Sequence, residues 1–510
     1  MASGPGPDRT PVLTRRGALS AVTAGILGCI VVVQLLVRSA ISRDEMENIH
    51  WGQALAWGNE KHPPLFGWLN YLWVEAFGRS DASTFVLEKL NVALGLFLAY
   101  VIARRILGPR KALLATALLL ATVNVILMAL KYNGNSALWP LWLAFLLMLH
   151  VAVRGGQIWA WLAAGVLGAA TVLTKYHSLV LLACAFGWLA SSADGRRILA
   201  SRRVWAGVAV GLVVLVPHGY WLLTDGRSAL EYASDNLTQG QGLLNHIKYP
   251  LKFTVIQLIF LCPALVLVWR WARRDRLGTR NPPDDLDAGF LLWHGPVLGL
   301  MPAGLSLVTG MSLGSMWGIA TWGLFPAWAV ARFGLRPRRP RVRRALLAGL
   351  ALTGIYVVAA VADGLFLARQ LDYKAAVAAV RDAWYSRYAT PLTIAGGYGR
   401  YYEGLAVYAP EEPDVFGGLS PDTHRRVTPE RLATEGAVLV IPADLPEAVA
   451  RARARFSIAG ETRISLPERR QRLFRTRPDE LVVLFVAPGG AQGAAAEPGS
   501  QSAAEIRETD

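Results

Sequence analysis

Charge is scarce in this chain. Only 17% of its 510 residues are charged, where a soluble domain carries about 25%. A fully solvated surface is therefore excluded for much of its length. Cysteine is almost absent, with 3 residues, which excludes a disulfide framework or zinc-type spacing. Cys29, Cys184 and Cys262 each fall within an apolar run and are expected to be small buried residues. Acidic residues (36) trail basic ones (52). Arginine far outnumbers lysine and Ala and Gly abound, a composition that points to a GC-rich bacterial genome.

What the chain does have is apolar length. Its hydrophobic content is 53%, with 18 Trp. Apolar runs recur at 18–41, 84–103, 112–130, 136–153, 157–173, 177–193, 204–223, 250–269, 288–309, 315–331 and 345–366. About 20 residues of helix cross a hydrocarbon core, and lipid offers no partner for an open backbone. The runs predict a polytopic α-helical membrane protein with about eleven transmembrane helices.

The net charge of +16 follows the spans rather than a nucleic-acid face. With the N-terminus inside, the inner loops hold well over twice as many Lys and Arg as the outer ones, including the run Arg332 to Arg344. This is the positive-inside pattern, and it excludes nucleic acid as a partner. The first run is too long for a signal-peptide core and reads as an uncleaved span.

The predicted organisation has four parts. Residues 1–17 form a flexible cytoplasmic arm, and 18–366 the transmembrane domain with long outer loops at 42–83 and 224–249. Residues 367–487 form a small C-terminal α/β domain, placed on the periplasmic side by span parity; 488–510 read as a disordered tail. Within the domain, strands are expected at 391–395, 437–441 and 481–486, and helices at 372–389, 429–435 and 446–456. The glycine cluster Gly396-Gly397-Tyr398-Gly399 is weak as a nucleotide loop and reads as a loop covering the active cavity.

Chemistry-bearing residues gather at the outer interface. Asp44-Glu45-Met46-Glu47 follows directly on the first span, and an aromatic interfacial helix runs on to Trp57 before Lys61-His62-Pro63-Pro64 turns the chain. The plain alternative for Asp44 is a helix N-cap. Lys131-Tyr132-Asn133-Gly134-Asn135 and Thr174-Lys175-Tyr176-His177 sit in two tight outer turns, and snorkelling to water is the plain alternative for each lysine. Together these groups suit an anionic headgroup beside a general base. Trp317, in a short outer turn, is placed to touch a donor or to anchor the interface. Glu88 and Lys89 are expected to pair with each other. His150, His218 and His294 are expected to be structural.

Asp44-Glu45, the aromatic helix, His62-Pro63-Pro64-Leu65 and Phe77-Gly78 resemble the first outer loop of the dolichyl-phosphate-mannose–protein mannosyltransferase-like superfamily. These are membrane glycosyltransferases of the C-type fold. The similarity spans roughly residues 20–200 and is greatest to bacterial lipid A aminoarabinose and galacturonic acid transferases. It implies Asp44 as the catalytic base, with Glu45 as its acidic neighbour. His62 stands where relatives have a phosphate-facing lysine, Asn133 and Asn135 where they often have an acid, and Lys175 after Leu173-Thr174 as in the family. The implied substrate-binding set is Glu45, His62, Lys131, Asn133, Asn135, Lys175, Tyr176 and Trp317.

The implied reaction is inverting transfer of a sugar from a polyprenyl-phosphate donor to a hydroxyl of an envelope glycolipid or polysaccharide, lipid A or other lipopolysaccharide foremost, at the periplasmic face of a bacterial inner membrane. A phosphate leaving group, with a second pKa near 6, needs no strong general acid. No cofactor is required, no metal ligand is assigned, and a divalent metal stays open. The alternatives are a protein O-mannosyltransferase-like enzyme, a lipid transporter or flippase, and a non-catalytic envelope assembly protein.

Overall fold

The computed structural model describes residues 12–59, 61–226, 229–230, 242–275, 283–363, 372–421, 424–466 and 479–489. Residues 12–17 of the predicted arm belong to the first helix and are not a separate arm; residues 1–11, residues 490–510 of the predicted tail and half of the loop 224–249 lie outside the described residues. Two compact units divide the chain near Leu371 and Asp372.

The first unit is helical. Its elements are α1 (Val12–Val37), α2 (Arg43–Gln53), α3 (Leu65–Phe77), α4 (Asp81–Leu107), α5 (Pro109–Leu120), α6 (Val123–Met128), α7 (Gly134–Gly155) and α8 (Ile158–Thr174). A 3-10 turn, Tyr176–Ser178, leads into α9 (Leu179–Ala190); α10 (Ala193–Leu199), α11 (Arg202–Thr224), α12 (Asn245–Asp275), α13 (Asp285–Leu292) and α14 (Leu298–Thr309) follow. The set closes with α15 (Phe325–Arg332) and α16 (Arg339–Ala362).

Among the described residues, 7 helices are single, long and apolar enough to cross a membrane; the pair Tyr176–Ala190 and Ala193–Leu199, bent by 117°, makes 8 if taken as one span. The chain is a multi-pass membrane protein, but the expected eleven is not reached by unbroken helices. Hydropathy does not register breaks. The run 112–130 is interrupted at Ala121 and Thr122, where the Thr122 hydroxyl donates to the Leu119 carbonyl at 2.7 Å. The run 315–331 opens with the 3-10 turn Ser315–Gly318, and its α-helix is only the eight residues of α15. Cysteine burial also differs from expectation: only Cys184 is buried, while Cys29 and Cys262 are exposed on the helix surface, where lipid is as apolar as a core.

Small residues set the closest helix contacts. A Cβ on Gly165 of α8 would lie 2.0 Å from the Gly207 carbonyl oxygen of α11, and one on Gly207 would lie 2.5 Å from that of Trp161. In lipid, such backbone approach supplies the dispersion that holds helices together. The α2–α3 pair is equally tight, because a Cβ on Gly52 would meet Tyr71 Cβ at 2.3 Å and the Gly67 carbonyl at 2.4 Å. Several arginines read as topological are also paired. Arg154 and His150 both reach Asp287, at 3.0 and 2.9 Å, and Arg341 reaches Asp275 at 2.9 Å.

The second unit begins with α17 (Tyr373–Tyr385) and β1 (Ile394–Gly397), then α18 (Leu405–Tyr408) and β2 (Asp414–Phe416). It continues through α19 (Pro429–Glu435), β3 (Ala437–Pro442), α20 (Pro446–Arg455), β4 (Ile458–Ser465) and β5 (Glu480–Val486). The sheet order is β2-β1-β3-β5-β4. The first three strands are parallel, and β5 runs antiparallel to both β3 and β4. Ile394, Phe416, Leu439, Val482 and Leu484 build its core. Gly396 and Gly397 are strand residues: a Cβ on Gly397 would meet the Val440 carbonyl at 2.2 Å. Close strand packing therefore accounts for those two glycines.

Candidate active site

Three short connections meet at one end of the helical unit. In the first, Ser42 precedes α2 and Glu45 reaches back to the Ser42 N–H at 2.8 Å, half of a capping box. Asp44 is therefore not the cap; it lies in the first turn of α2 with its side chain 45% exposed. Adjacent acids thus diverge, since Glu45 is fully buried and Asp44 is left at the surface.

The second connection, between α6 and α7, supplies the partners of Asp44. Lys131 Nζ donates to Asp44 Oδ2 at 2.6 Å, and Asn133 Nδ2 donates to the same oxygen at 3.1 Å. Among the described residues no hydrogen bond reaches Oδ1. Burial raises the Asp44 pKa, but the bond and charge of Lys131, the Asn133 amide and the Lys61 charge together hold it below the ordinary carboxylate value. Asp44 is ionised at neutral pH. Asn133 Oδ1 caps α7 by accepting from the Asn135 and Ser136 N–H groups at 3.0 and 3.2 Å.

The third connection follows α8. Lys175 Nζ donates to Asn135 Oδ1 at 2.6 Å and stands 5.3 Å above the Trp317 ring. Burial, followed by the charge of Lys131, brings its pKa down to about 8 despite the opposing pull of Asp44. Tyr176 points to His218, its hydroxyl 2.9 Å from Nε2, while His218 Nδ1 lies 2.5 Å from the Trp57 carbonyl. A carbonyl only accepts, so Nδ1 carries the hydrogen and Nε2 accepts from the phenol.

His62 is half-buried nearby. Burial first, then the charges of Lys175 and Lys61, push its pKa down to about 3. It offers a neutral imidazole and not the cation that a lysine would supply. Arg43 is turned to Glu47 at 3.4 Å.

The predicted residues thus fall into two linked groups: Asp44, Lys131 and Asn133, and Lys175, Asn135 and Trp317. His62 borders both, Tyr176 is held to one side, and Glu45 lies beneath. Sequence reasoning passed over Lys61, which bonds Glu47 at 2.9 Å and whose charge acts on Asp44; its place beside His62 was the available signal. It also passed over His177, whose ring lies between those of Trp142 and Trp317, at 5.7 and 5.8 Å. Among the described residues, no group of three or more His, Cys, Asp or Glu side chains is arranged to hold a metal ion. The chemical capacity is a carboxylate with one accessible oxygen, flanked by ammonium groups able to meet an anion.

This geometry sits on a known architecture. The chain superposes on ArnT from Cupriavidus metallidurans, solved bound to undecaprenyl phosphate, with a TM-score of 0.60 at 16% identity, covering 94% of this chain and 99% of that one. This is the C-type glycosyltransferase fold. Residues 61–221 match the dolichyl-phosphate-mannose-protein mannosyltransferase family, which covers the second and third connections of the site in this C-type domain. Two curated relatives from Rhizobium johnstonii are also similar. The lipopolysaccharide core galacturonosyltransferase RgtA is 25% identical over 48% of this chain and 50% of its own length. The corresponding enzyme RgtB is 27% identical over 39% of this chain and 41% of its own. The chain spans about half the length, or less, of the curated relatives it matches.

Proposed function

We propose that this protein is an inverting membrane glycosyltransferase that moves a sugar from a polyprenyl-phosphate donor to a hydroxyl group of an envelope glycolipid. The observation that carries this reading is the Asp44 carboxylate, with Oδ2 engaged by Lys131 and Asn133 and Oδ1 without a hydrogen-bond partner among the described residues. The acceptor O–H gives its proton to Oδ1 as its oxygen bonds to the anomeric carbon. The bond from that carbon to the phosphate oxygen breaks, and the departing polyprenyl phosphate gains one negative charge. Lys131 and Lys175 stand where that charge develops. His62 contributes a hydrogen bond from a neutral ring. One displacement inverts the anomeric centre, and no second carboxylic acid is needed, unlike in glycoside hydrolysis.

Three similarities support this reading. ArnT holds undecaprenyl phosphate on the same fold, and RgtA and RgtB act on the lipopolysaccharide core. They favour a lipopolysaccharide or lipid A acceptor; the positive-inside pattern of Lys and Arg supports the rest of the reading, a site at the periplasmic face of a bacterial inner membrane, with the N-terminus cytoplasmic and the C-terminal unit periplasmic. A transporter would instead place its distinctive charges at mid-membrane.

The test is Asp44→Asn in proteoliposomes supplied with polyprenyl-phosphate sugar and extracted envelope lipids. Transfer should fall by about 10²–10⁴ while the variant melts as the wild type does. Wild-type transfer by Asp44→Asn would remove the base from the scheme. Mass spectrometry of envelope lipids and glycoproteins from a deletion strain would identify the sugar, and a mass change confined to glycoproteins would overturn the glycolipid acceptor.

A further inference from the structure

Directly under the site, inside the helix bundle, lie three polar side chains that the proposed chemistry does not use. Gln34 of α1 and Glu88 and Lys89 of α4 are 1%, 0% and 5% exposed. Lys89 Nζ donates to Gln34 Oε1 and to Glu88 Oε2. Gln34 Nε2 donates to Glu88 Oε2 at 3.1 Å and to the Leu130 carbonyl at 3.0 Å. Glu88 in turn interacts electrostatically with the Glu45 carboxylate, which itself holds the Ser42 and Tyr132 N–H groups. Charged side chains among apolar helices are expensive and commonly functional.

We propose that the Gln34–Glu88–Lys89 cluster is a positioning device, which fixes the turn after α6 against α2 so that Lys131 and Asn133 meet Asp44. This rests on Asp44 being the base. The backbone of that turn is held almost group by group. Gln34 takes the Leu130 carbonyl, Glu45 Oε1 accepts from the Tyr132 N–H at 2.9 Å, and Asn48 donates to the Tyr132 carbonyl at 2.7 Å. Ser136 donates to the Lys131 carbonyl at 2.9 Å, and Asn91 to the Ser136 carbonyl at 2.7 Å.

The grips on Leu130, Tyr132 and Ser136 come from α1, α2 and α4, three helices distant in sequence. Leu130 and Lys131 are neighbours, about 3.8 Å apart along the chain, so freeing the Leu130 carbonyl moves the Lys131 ammonium. Glu45 belongs to the same cluster and also holds the start of α2. One buried assembly therefore sets both sides of the Asp44–Lys131 contact. A displacement of about 1 Å in such a site can cost about 10²-fold in rate.

Gln34→Met keeps the side-chain length and removes the hydrogen bonds; Lys89→Gln, which keeps donors and removes the charge, is the second variant. Two readouts separate positioning from simple stability. The first is the split of kcat against KM for lipid-linked sugar, per folded molecule. The second is the titration of Asp44 by difference infrared spectroscopy with 13C-aspartate, using Asp44→Asn as the reference. Lys131, Asn133 and Lys61 act on Asp44, His62 and Lys175 feel its charge, and Arg43, Glu45 and Glu47 flank it on α2.

Positioning predicts a kcat lowered about tenfold or more, with KM within threefold, and an Asp44 midpoint moved upward as Lys131 withdraws. Wild-type kcat and an unmoved midpoint in a folded variant would overturn it, as would a loss confined to the amount of folded protein. If the wild type transfers no sugar at all, the functional reading fails, while the infrared titration still decides the positioning role.

Discussion

Replacing Lys131 by Met tests the electrostatics of the site in two separable ways. The ammonium lies 2.6 Å from Asp44 Oδ2, with the two side chains 32% and 45% exposed. Exposed ion pairs contribute about 0.2–1 kcal/mol, and hydrogen bonds to charged groups about 1.5–3 kcal/mol. A half-exposed pair falls between, at about 1 kcal/mol. With that contact gone, Asp44 should titrate higher in the variant than in the wild type. The sign follows from the opposing influences: burial raises the Asp44 pKa, and Lys131 leads the groups that lower it. The acid limb of the pH–rate profile should therefore move up.

Even so, Asp44 stays ionised at pH 7, so the base is still available there. A fall in kcat at pH 7 then reports the lost cation at the departing phosphate. Removing one preorganised donor from a developing oxyanion costs about 2.7–4 kcal/mol, or about 10²–10³ in kcat. The assay is initial-rate transfer from a polyprenyl-phosphate sugar in proteoliposomes, from about pH 4 to pH 9. A kcat within threefold of wild type at pH 7, together with an unmoved acid limb, would refute both roles for Lys131.

Three further outcomes are expected. With Lys175 titrating at about 8, its charge is present at neutral pH and fades above that value, so transfer should decline on the alkaline side. Lys175→Arg, whose guanidinium stays protonated, should flatten that alkaline limb in the same rate measurements. Gly165→Ala drives a methyl group into the Gly207 carbonyl and should cost about 1–3 kcal/mol, read as a lower melting temperature in detergent. Gly397→Ala meets the Val440 carbonyl in the same way and should destabilise the C-terminal sheet by a similar amount, read by limited proteolysis of that unit.

The sequence told much about the fold and less about the site. Long apolar runs announced the helices because lipid demands them, but hydropathy averages over a window and passed across the break at Ala121-Thr122. Strands β1, β3 and β5 were readable as apolar runs. The three residues of β2 are too short to show a period, and β4 (IAGETRIS) dilutes its alternation with glycine and charge. At the site, Asp44, Lys131 and Lys175 stood out as charges beside apolar runs. That Glu45 points down and Asp44 out was not legible, because it depends on Ser42 starting α2 one residue before Arg43. Nor was the neutrality of His62, which comes first from burial and then from the charge of Lys175 on a distant connection, with the adjacent Lys61 adding to it.

The tight seam between α2 and α3 constrains how the protein works. Asp44 rides on a helix whose glycine is pressed into its neighbour's backbone with no room for a methyl group. That hairpin swings as one rigid arm or stays still. Access for a bulky lipid headgroup must then come from somewhere other than independent flexing of the segment bearing the base.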